Sequence, residues 1–258
     1  TAQDPFVLGS LAMRLAKKLK AGVELQIHGD FFSSRHWRNE SLMNGIFYNV
    51  GLSNIKMSDA VRAVSARIKN DLVEKGIAAE KITVVPVYVP WQEMRDSAAK
   101  FSLKQKYPQF DFLVLSLGRL ERVKHIDLLI SAFVEFLENH PGAGLIIVGD
   151  GHKKIALQNL VKKLQIEKSV IFEPTTDDPA SYYRGADCFV LCSWYEGWGR
   201  TVIEAMACGC PVIMTDVGCA GEAVIDGESG IVIGIDDQAA LVEAIKKIQV
   251  NMDYRKFL

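Results

Sequence analysis

Residues 143–174 read "AGLIIVGDGHKKIALQNLVKKLQIEKSVIFEP". An apolar run ends in Gly149-Asp150-Gly151. A stretch with apolar residues at helical spacing follows, and a second apolar run closes at Glu173. The first run has no polar alternation and reads as a buried strand, and the amphipathic stretch supplies the crossover that a parallel partner strand requires. The same alternation continues in both directions. Upstream, "DFLVLSLGRL" is a strand leading into a turn and "IDLLISAFVEFLENH" an amphipathic helix. Downstream come a short helix in "PASYYRGA", a strand in "DCFVLCS", a helix in "RTVIEAMACG", a strand in "PVIMTD", a short helix in "GEAVIDG", a strand in "SGIVIGI" and a closing helix in "DQAALVEAIKKIQV". Six strands separated by helices predict a doubly wound α/β domain with a parallel sheet.

The first third of the chain alternates as well. Helical periodicity in "FVLGSLAMRLAKKLK" precedes a short strand, "VELQIHGD". A loop rich in aromatic and basic side chains, "FFSSRHWRNES", leads to a helix in "LMNGIFYNVGLSNIKMSDA". The strand "AVRAVS", the helix "ARIKNDLVEKG" with Gly76 at its end, and the strand "KITVVPVYV" complete a second α/β pattern. Between the two patterns, "PWQEMRDSAAKFSLKQKYPQF" lacks a strong period and contains two prolines. The expected organisation is a partial N-terminal α/β domain over 1–92, a linker over 93–109, a Rossmann-like domain over 110–250, and the start of a further segment at 251–258. The opening "TAQDPFVLGS" has no initiator Met and is no signal peptide, which leads to the expectation that the chain is a piece of a longer protein, cut at both ends.

Composition narrows the function. Hydrophobic residues make up 49% of the 258, enough for real cores, and the formal net charge is -1. There is no global basic field to hold nucleic acid, so any positive charge used on a ligand is local. The five cysteines form no C-x-x-C pair and fall in apolar segments; they read as buried thiols of a cytoplasmic protein rather than disulfides or metal ligands. No apolar run approaches the roughly 20 residues of a membrane-spanning helix.

In doubly wound sheets, ligands sit beyond the carboxyl ends of the strands. Those ends carry Gly118-Arg119 with Lys124 nearby, Gly149-Asp150-Gly151, Tyr195 to Arg200, and Val217 to Glu222. The richest is "SWYEGWGRTVIEAMACGCPVI", residues 193–213, where Glu196 and Glu204 bracket a glycine-rich turn that opens a helix. Gly197 and Gly199 permit close backbone approach, and the N–H groups from Gly199 to Thr201, beside Arg200, form the start of a helix suited to an anion. Eight helical residues span about 12 Å, which suits two acids gripping different hydroxyls of one long ligand with its phosphates between them. Arg119 and Lys124 would neutralise phosphate charge.

In these motifs, "SLGRLERVKHID", "LIIVGDGHKKIAL", "ADCFVLCSWYEGWGRTVIEAMACGCPVI" and "TDVGCAGEAVIDGESGIVI", the chain resembles the glycosyltransferases of GT-B fold, in particular the retaining glycosyltransferase family 4. The resemblance is close over about 110–250 and looser over 4–90. It implies that Arg119, Lys124, Gly199, Arg200 and Thr201 bind the donor diphosphate and that Glu204 holds the ribose hydroxyls. It further implies that Glu196 contacts the donor sugar near its reacting end, with His28 as the N-domain histidine facing that sugar across the cleft. The vicinity of Phe172 and Glu173 would neighbour the base. The family's turn often carries adjacent glycines; here "VGCAGE" spreads them, which leaves the role of Glu222 open. The implied reaction moves a sugar from a UDP- or GDP-linked donor to the hydroxyl of a sugar, lipid-linked or small-molecule acceptor, with retained configuration. No D-x-D stretch provides a metal bridge, so neither metal nor cofactor is expected.

Three other readings stand beside this one. "IIVGDGHKK" opens like a dinucleotide fingerprint and Glu173 follows at about the spacing of a ribose-binding acid, but Lys154 occupies the place of the third glycine. A fragment, or a regulatory protein of this fold, would bind a nucleotide sugar without turnover. Phe31, Phe32 and Trp37 with Arg35 and Arg38 would form either an ordinary loop or an acceptor or membrane-surface patch, which admits peripheral contact at the inner face of the membrane.

Overall fold

The computed structural model describes residues 1–250, so the segment expected at 251–258 lies outside the described residues. The chain divides into two compact units. One comprises 1–88 together with the loops 195–199 and 217–222; the other comprises 89–194, 200–216 and the chain from 223 onward.

The first unit contains α1 (Val7–Leu19), β1 (Glu24–Ile27), α2 (Arg35–Asn39), α3 (Leu42–Met57), β2 (Ala60–Ala63), α4 (Ala66–Glu74) and β3 (Ile82–Val84). Its strands pair in parallel in the order β1-β2-β3. Helix starts follow from local chemistry. Ser34, Ser41 and Ser65 each accept a hydrogen bond from a backbone N–H of the first turn of the helix they precede. Gly76, at φ +82°, closes α4 as a glycine beyond the cap does. The core gathers Leu25, Ile27, Ile55, Val61, Ile68 and Leu72, with Trp198 packed against it. The loop "FFSSRHWRNES" contributes to this core instead of a surface patch. Phe32 and Trp37 are buried, Trp37 stacks on Phe6 at 5.3 Å, and α2 forms within the stretch expected as a loop.

The second unit contains α5 (Trp91–Asp96), α6 (Leu103–Lys106), β4 (Phe112–Leu117), α7 (Ile126–Leu137), β5 (Ala143–Val148), α8 (Lys154–Lys163), β6 (Val170–Glu173), α9 (Pro179–Gly185), β7 (Cys188–Leu191), α10 (Arg200–Ala207), β8 (Val212–Thr215), β9 (Ile231–Ile233) and α11 (Gln238–Val250). All six strands are parallel, in the order β6-β5-β4-β7-β8-β9. The chain starts at mid-sheet, winds to one edge, returns and winds to the other, which is the doubly wound order. Every residue of β5 is buried, as a central strand covered on both faces requires. Phe133 and Phe136 of α7 and Leu241 and Ile245 of α11 fill the core on one side, each contributing roughly 1.5–3 kcal/mol by burial.

Two elements differ from the sequence reading. Residues 93–109 are not a bare linker: α5 packs on α10 and α6 on α9. Leu103 is fully buried, and Lys104 donates to the Asp187 carboxylate, which also accepts from the backbone N–H of Leu113 at 2.8 Å. These helices are too short to show a helical period, and side chains elsewhere in the chain hold them. The stretch "GEAVIDG" forms turns, not a helix, because β-branched Val224 and Ile225 and the positive φ of Gly227 oppose one.

Candidate functional site

In the second unit, the carboxyl ends of β4, β5 and β6 are tied together. The N–H of Gly118 donates to the carbonyl of Val148, and that of Gly149 to Glu173. The approach is so close that a Cβ on Gly149 would lie 1.9 Å from the Gly118 oxygen. Beyond these ends lies a pocket of about 210 Å³, walled by Leu117, Val148, Arg119, Asp150, Thr175 and Thr176. Arg119 is exposed beside it. Lys124 ends a 3-10 turn that follows, and the carbonyl of its neighbour Val123 accepts from the Trp194 N–H at 2.9 Å, joining this turn to the segment after β7. His125 takes a left-handed φ of 48°; its ring centroid lies 4.6 Å from that of Trp194, tilted by 40°, and its Nδ1 lies 3.2 Å from Asp236 Oδ1.

Glu204 lies one turn inside α10, with its carboxylate mostly buried. Its Oε2 accepts from the Tyr183 hydroxyl at 3.2 Å, and Arg200 stands 3.6 Å from Oε1. Burial, reinforced by the charge of Glu204, pushes the Tyr183 phenol well above its usual range, so it stays a donor. Gly199, at φ +90°, precedes Arg200 and lets the chain turn into the helix whose first residues are Arg200 and Thr201.

In the segment expected near the base, the Phe172 side chain packs against the core, and the Glu173 carboxylate is bound by Lys106 and the Tyr107 hydroxyl. Just beyond it, Thr175 and Thr176 help line the pocket at this end of the sheet. The same contacts dispose of the dinucleotide reading. Glu173 is committed to Lys106 and Tyr107. The bare faces of Gly149 and Gly151 meet the carbonyls of Gly118 and Leu120, not a ligand. Asp150 shapes its own turn by accepting from the Gly151 N–H at 2.8 Å.

In the first unit, His28 follows β1, is exposed, and contacts the Gln26 side-chain oxygen at 3.2 Å. Partial burial and then the charge of Arg62 lower its pKa, which leaves the ring neutral near pH 7. The turn bearing Glu196 belongs to this unit and rests on His28: a Cβ on Gly197 would fall 1.9 Å from the His28 carbonyl oxygen. Glu196 and His28 are thus brought together in one unit, whereas Arg119, Lys124, Arg200, Thr201 and Glu204 belong to the other. Tyr195 donates to Glu40 at 3.0 Å. Glu222 has a structural task. Its two oxygens accept from the N–H groups of Ala66 and Arg67 at 2.9 and 3.1 Å, capping α4. Sequence reading missed the Tyr183 contact to Glu204 and the Lys106 and Tyr107 contacts to Glu173, because each joins residues far apart in the chain without any local pattern. Among the described residues, no group of three or more His, Cys, Asp or Glu side chains could hold a metal ion, and no helix is long and apolar enough to cross a membrane.

Comparison with known proteins gives these positions a context. A family model described as "Glycosyl transferases group 1" matches residues 99–256. The D-inositol 3-phosphate glycosyltransferase of Acidothermus cellulolyticus is 31% identical over 230 residues, covering 82% of this chain and 51% of the relative. The N-acetyl-alpha-D-glucosaminyl L-malate synthase of Bacillus anthracis is 29% identical over 209 residues, covering 78% and 54%. The chain therefore spans about half the length of these curated relatives. Among solved structures, HepE of Anabaena in complex with UDP-glucose superposes with a TM-score of 0.83 at 22% identity, covering 97% of this chain and 68% of that one. Sucrose-phosphate synthase of Thermosynechococcus elongatus gives 0.79 at 22% identity, covering 97% and 64%. These likenesses establish the α/β fold with parallel sheets that such glycosyltransferases share.

Proposed function

This chain belongs to the group 1 glycosyl transferases, and from that premise we propose that it holds a nucleoside diphosphate sugar and serves a retaining, metal-independent transfer of the sugar to an acceptor hydroxyl. The observation that carries the reading is Glu204: a mostly buried carboxylate beside the first turn of α10, in a doubly wound sheet whose strand ends also bear Arg119 and Lys124. A carboxylate offers about four lone-pair sites, so one fixed by Tyr183 retains acceptors for two ribose hydroxyls. Arg119, Lys124, Arg200 and the N–H groups from Gly199 to Thr201 take the diphosphate. As the sugar–phosphate bond breaks, negative charge grows on the departing oxygen, and positive side chains and N–H donors stabilise it without a metal; removing one such donor typically costs roughly 10²–10³ in rate. The acceptor oxygen bonds to the anomeric carbon on the face the phosphate leaves, and its proton passes to a phosphate oxygen. Glu196 and His28 orient the donor sugar, His28 as a neutral ring. The base sits by Thr175 and Thr176.

HepE, solved with UDP-glucose, supports a uridine donor, and the relatives named above support a small polar acceptor. Calorimetric titration with UDP and GDP tests the reading. One of the two is expected to bind saturably, and Glu204→Ala is expected to weaken that nucleotide far more than it weakens free pyrophosphate. A folded chain that takes up neither nucleotide refutes the donor site. Equal losses for nucleotide and pyrophosphate refute the ribose assignment.

A further inference from the structure

Resting on the donor site just described, we propose that Tyr183 is a positioning residue for nucleoside recognition, fixing the Glu204 carboxylate in the orientation that receives the ribose. The two side chains that hold Glu204 differ in kind. Tyr183 is fully buried on α9, with its ring edge-on to Phe189 of β7 at 5.4 Å and an interplanar angle of 83°. Packed this way the ring has one available position, and its hydroxyl reaches Oε2 at 3.2 Å. Arg200 is more than half exposed and stands 3.6 Å from Oε1, on the side chain's solvent flank. A long exposed cation at that range contributes little and exchanges readily.

The difference matters because the terminal torsion of a glutamate is broad, so an unrestrained carboxylate samples many orientations. Two neighbouring ribose hydroxyls need both oxygens in a set plane. Any ordering left until binding is subtracted from affinity. A neutral donor locked from the buried side settles that plane beforehand and leaves the outward lone pairs open. Arg200 can then leave Oε1 for a phosphate oxygen without releasing the carboxylate. Tyr183 itself touches no substrate, and its effect passes wholly through Glu204.

Tyr183→Phe isolates the hydroxyl. The ring and its packing on Phe189 remain, and the freed Oε2 belongs to a carboxylate that keeps Arg200 nearby, so the variant is expected to fold, as circular dichroism and a thermal melt will register. UDP, GDP, the corresponding nucleosides and inorganic pyrophosphate are titrated into wild type, Tyr183→Phe, Glu204→Ala and the double variant. The expected result is a roughly ten-fold loss of affinity for nucleoside and nucleotide in Tyr183→Phe, in line with one hydrogen bond to a charged group. Pyrophosphate affinity should stay within about two-fold of wild type, and Tyr183→Phe should add nothing once Glu204 is alanine. An equal loss for pyrophosphate, or a Tyr183→Phe loss that persists undiminished beside Glu204→Ala, overturns the positioning role while leaving the donor site standing. A wild-type chain that binds neither nucleotide overturns the donor site, and this role with it.

Discussion

Removing the Glu222 carboxylate should unfold the first unit at a distinctly lower temperature and leave nucleotide binding alone. Glu222 accepts from two backbone N–H groups, Ala66 at 2.9 Å and Arg67 at 3.1 Å, in the first turn of α4. Ser65 already serves a third, that of Ile68 at 3.3 Å. Hydrogen bonds to charged groups contribute about 1.5–3 kcal/mol when buried. Glu222 is half-buried, so water recovers part of this after truncation, whereas the favourable placement of an anion at a helix start adds about 0.3–1 kcal/mol. A loss of about 2 kcal/mol follows for Glu222→Ala. In a unit of about 100 residues that corresponds to a fall of about 8–16 °C in melting temperature. Glu222→Gln keeps one acceptor oxygen and no charge and should lose about half as much. Differential scanning calorimetry resolves the two units if they melt separately, and titration with UDP and GDP on the folded variant supplies the control. An unchanged melt would refute the capping argument; so would an intact melt with binding lost as severely as in Glu204→Ala.

Two more expectations follow from the first unit. Gly197→Ala places a methyl 1.9 Å from the His28 carbonyl oxygen, while Gly221→Ala meets nothing within 4 Å and bears only the strain of φ +78°. The first should destabilise by about 2–3 kcal/mol and the second by about 1–2 kcal/mol; melts of equal temperature would remove the close contact from the account. His28, with its pKa lowered in the folded state, takes up its proton later than the unfolded chain does as pH falls. The unfolded state then binds more protons, so the stability of this unit declines below about pH 6.5 and is unaffected above it. His28→Gln should flatten part of that decline in urea midpoints taken at pH 7 and 5.5, and identical slopes in variant and wild type would contradict it.

Much of the fold was legible because apolar runs and helical periods alternate from Phe112 to Thr215. Buried parallel strands and their crossover helices write themselves locally. The same rule failed at 93–109, where four- and six-residue helices show no period and are held by Leu103, Lys104 and Lys106 gripping distant partners. Arg119, Lys124, Gly199 and Glu204 are legible as candidates from their places after the strands, and sequence carries them no further than that. At Phe172 and Glu173, place in the sequence says nothing of side-chain direction: a core-packed phenylalanine and a lysine-bound acid look no different in sequence from solvent-facing ones. Glu222 was left open because a carboxylate that caps a helix 156 positions earlier leaves no local trace.

That last separation has a bearing on how the protein is made. The α4 helix leaves the ribosome long before the carboxylate that closes its start has been translated. At about 5–20 residues per second, the 156 intervening positions take about 8–30 s. Through that interval the two amide groups at the start of α4 have water as their partner, and the hydrophobic surface where Trp198 will later settle stays uncovered. The nascent polypeptide is thus exposed to chaperones and proteases for a period fixed by translation speed, and slow codons between Ala66 and Glu222 would lengthen it.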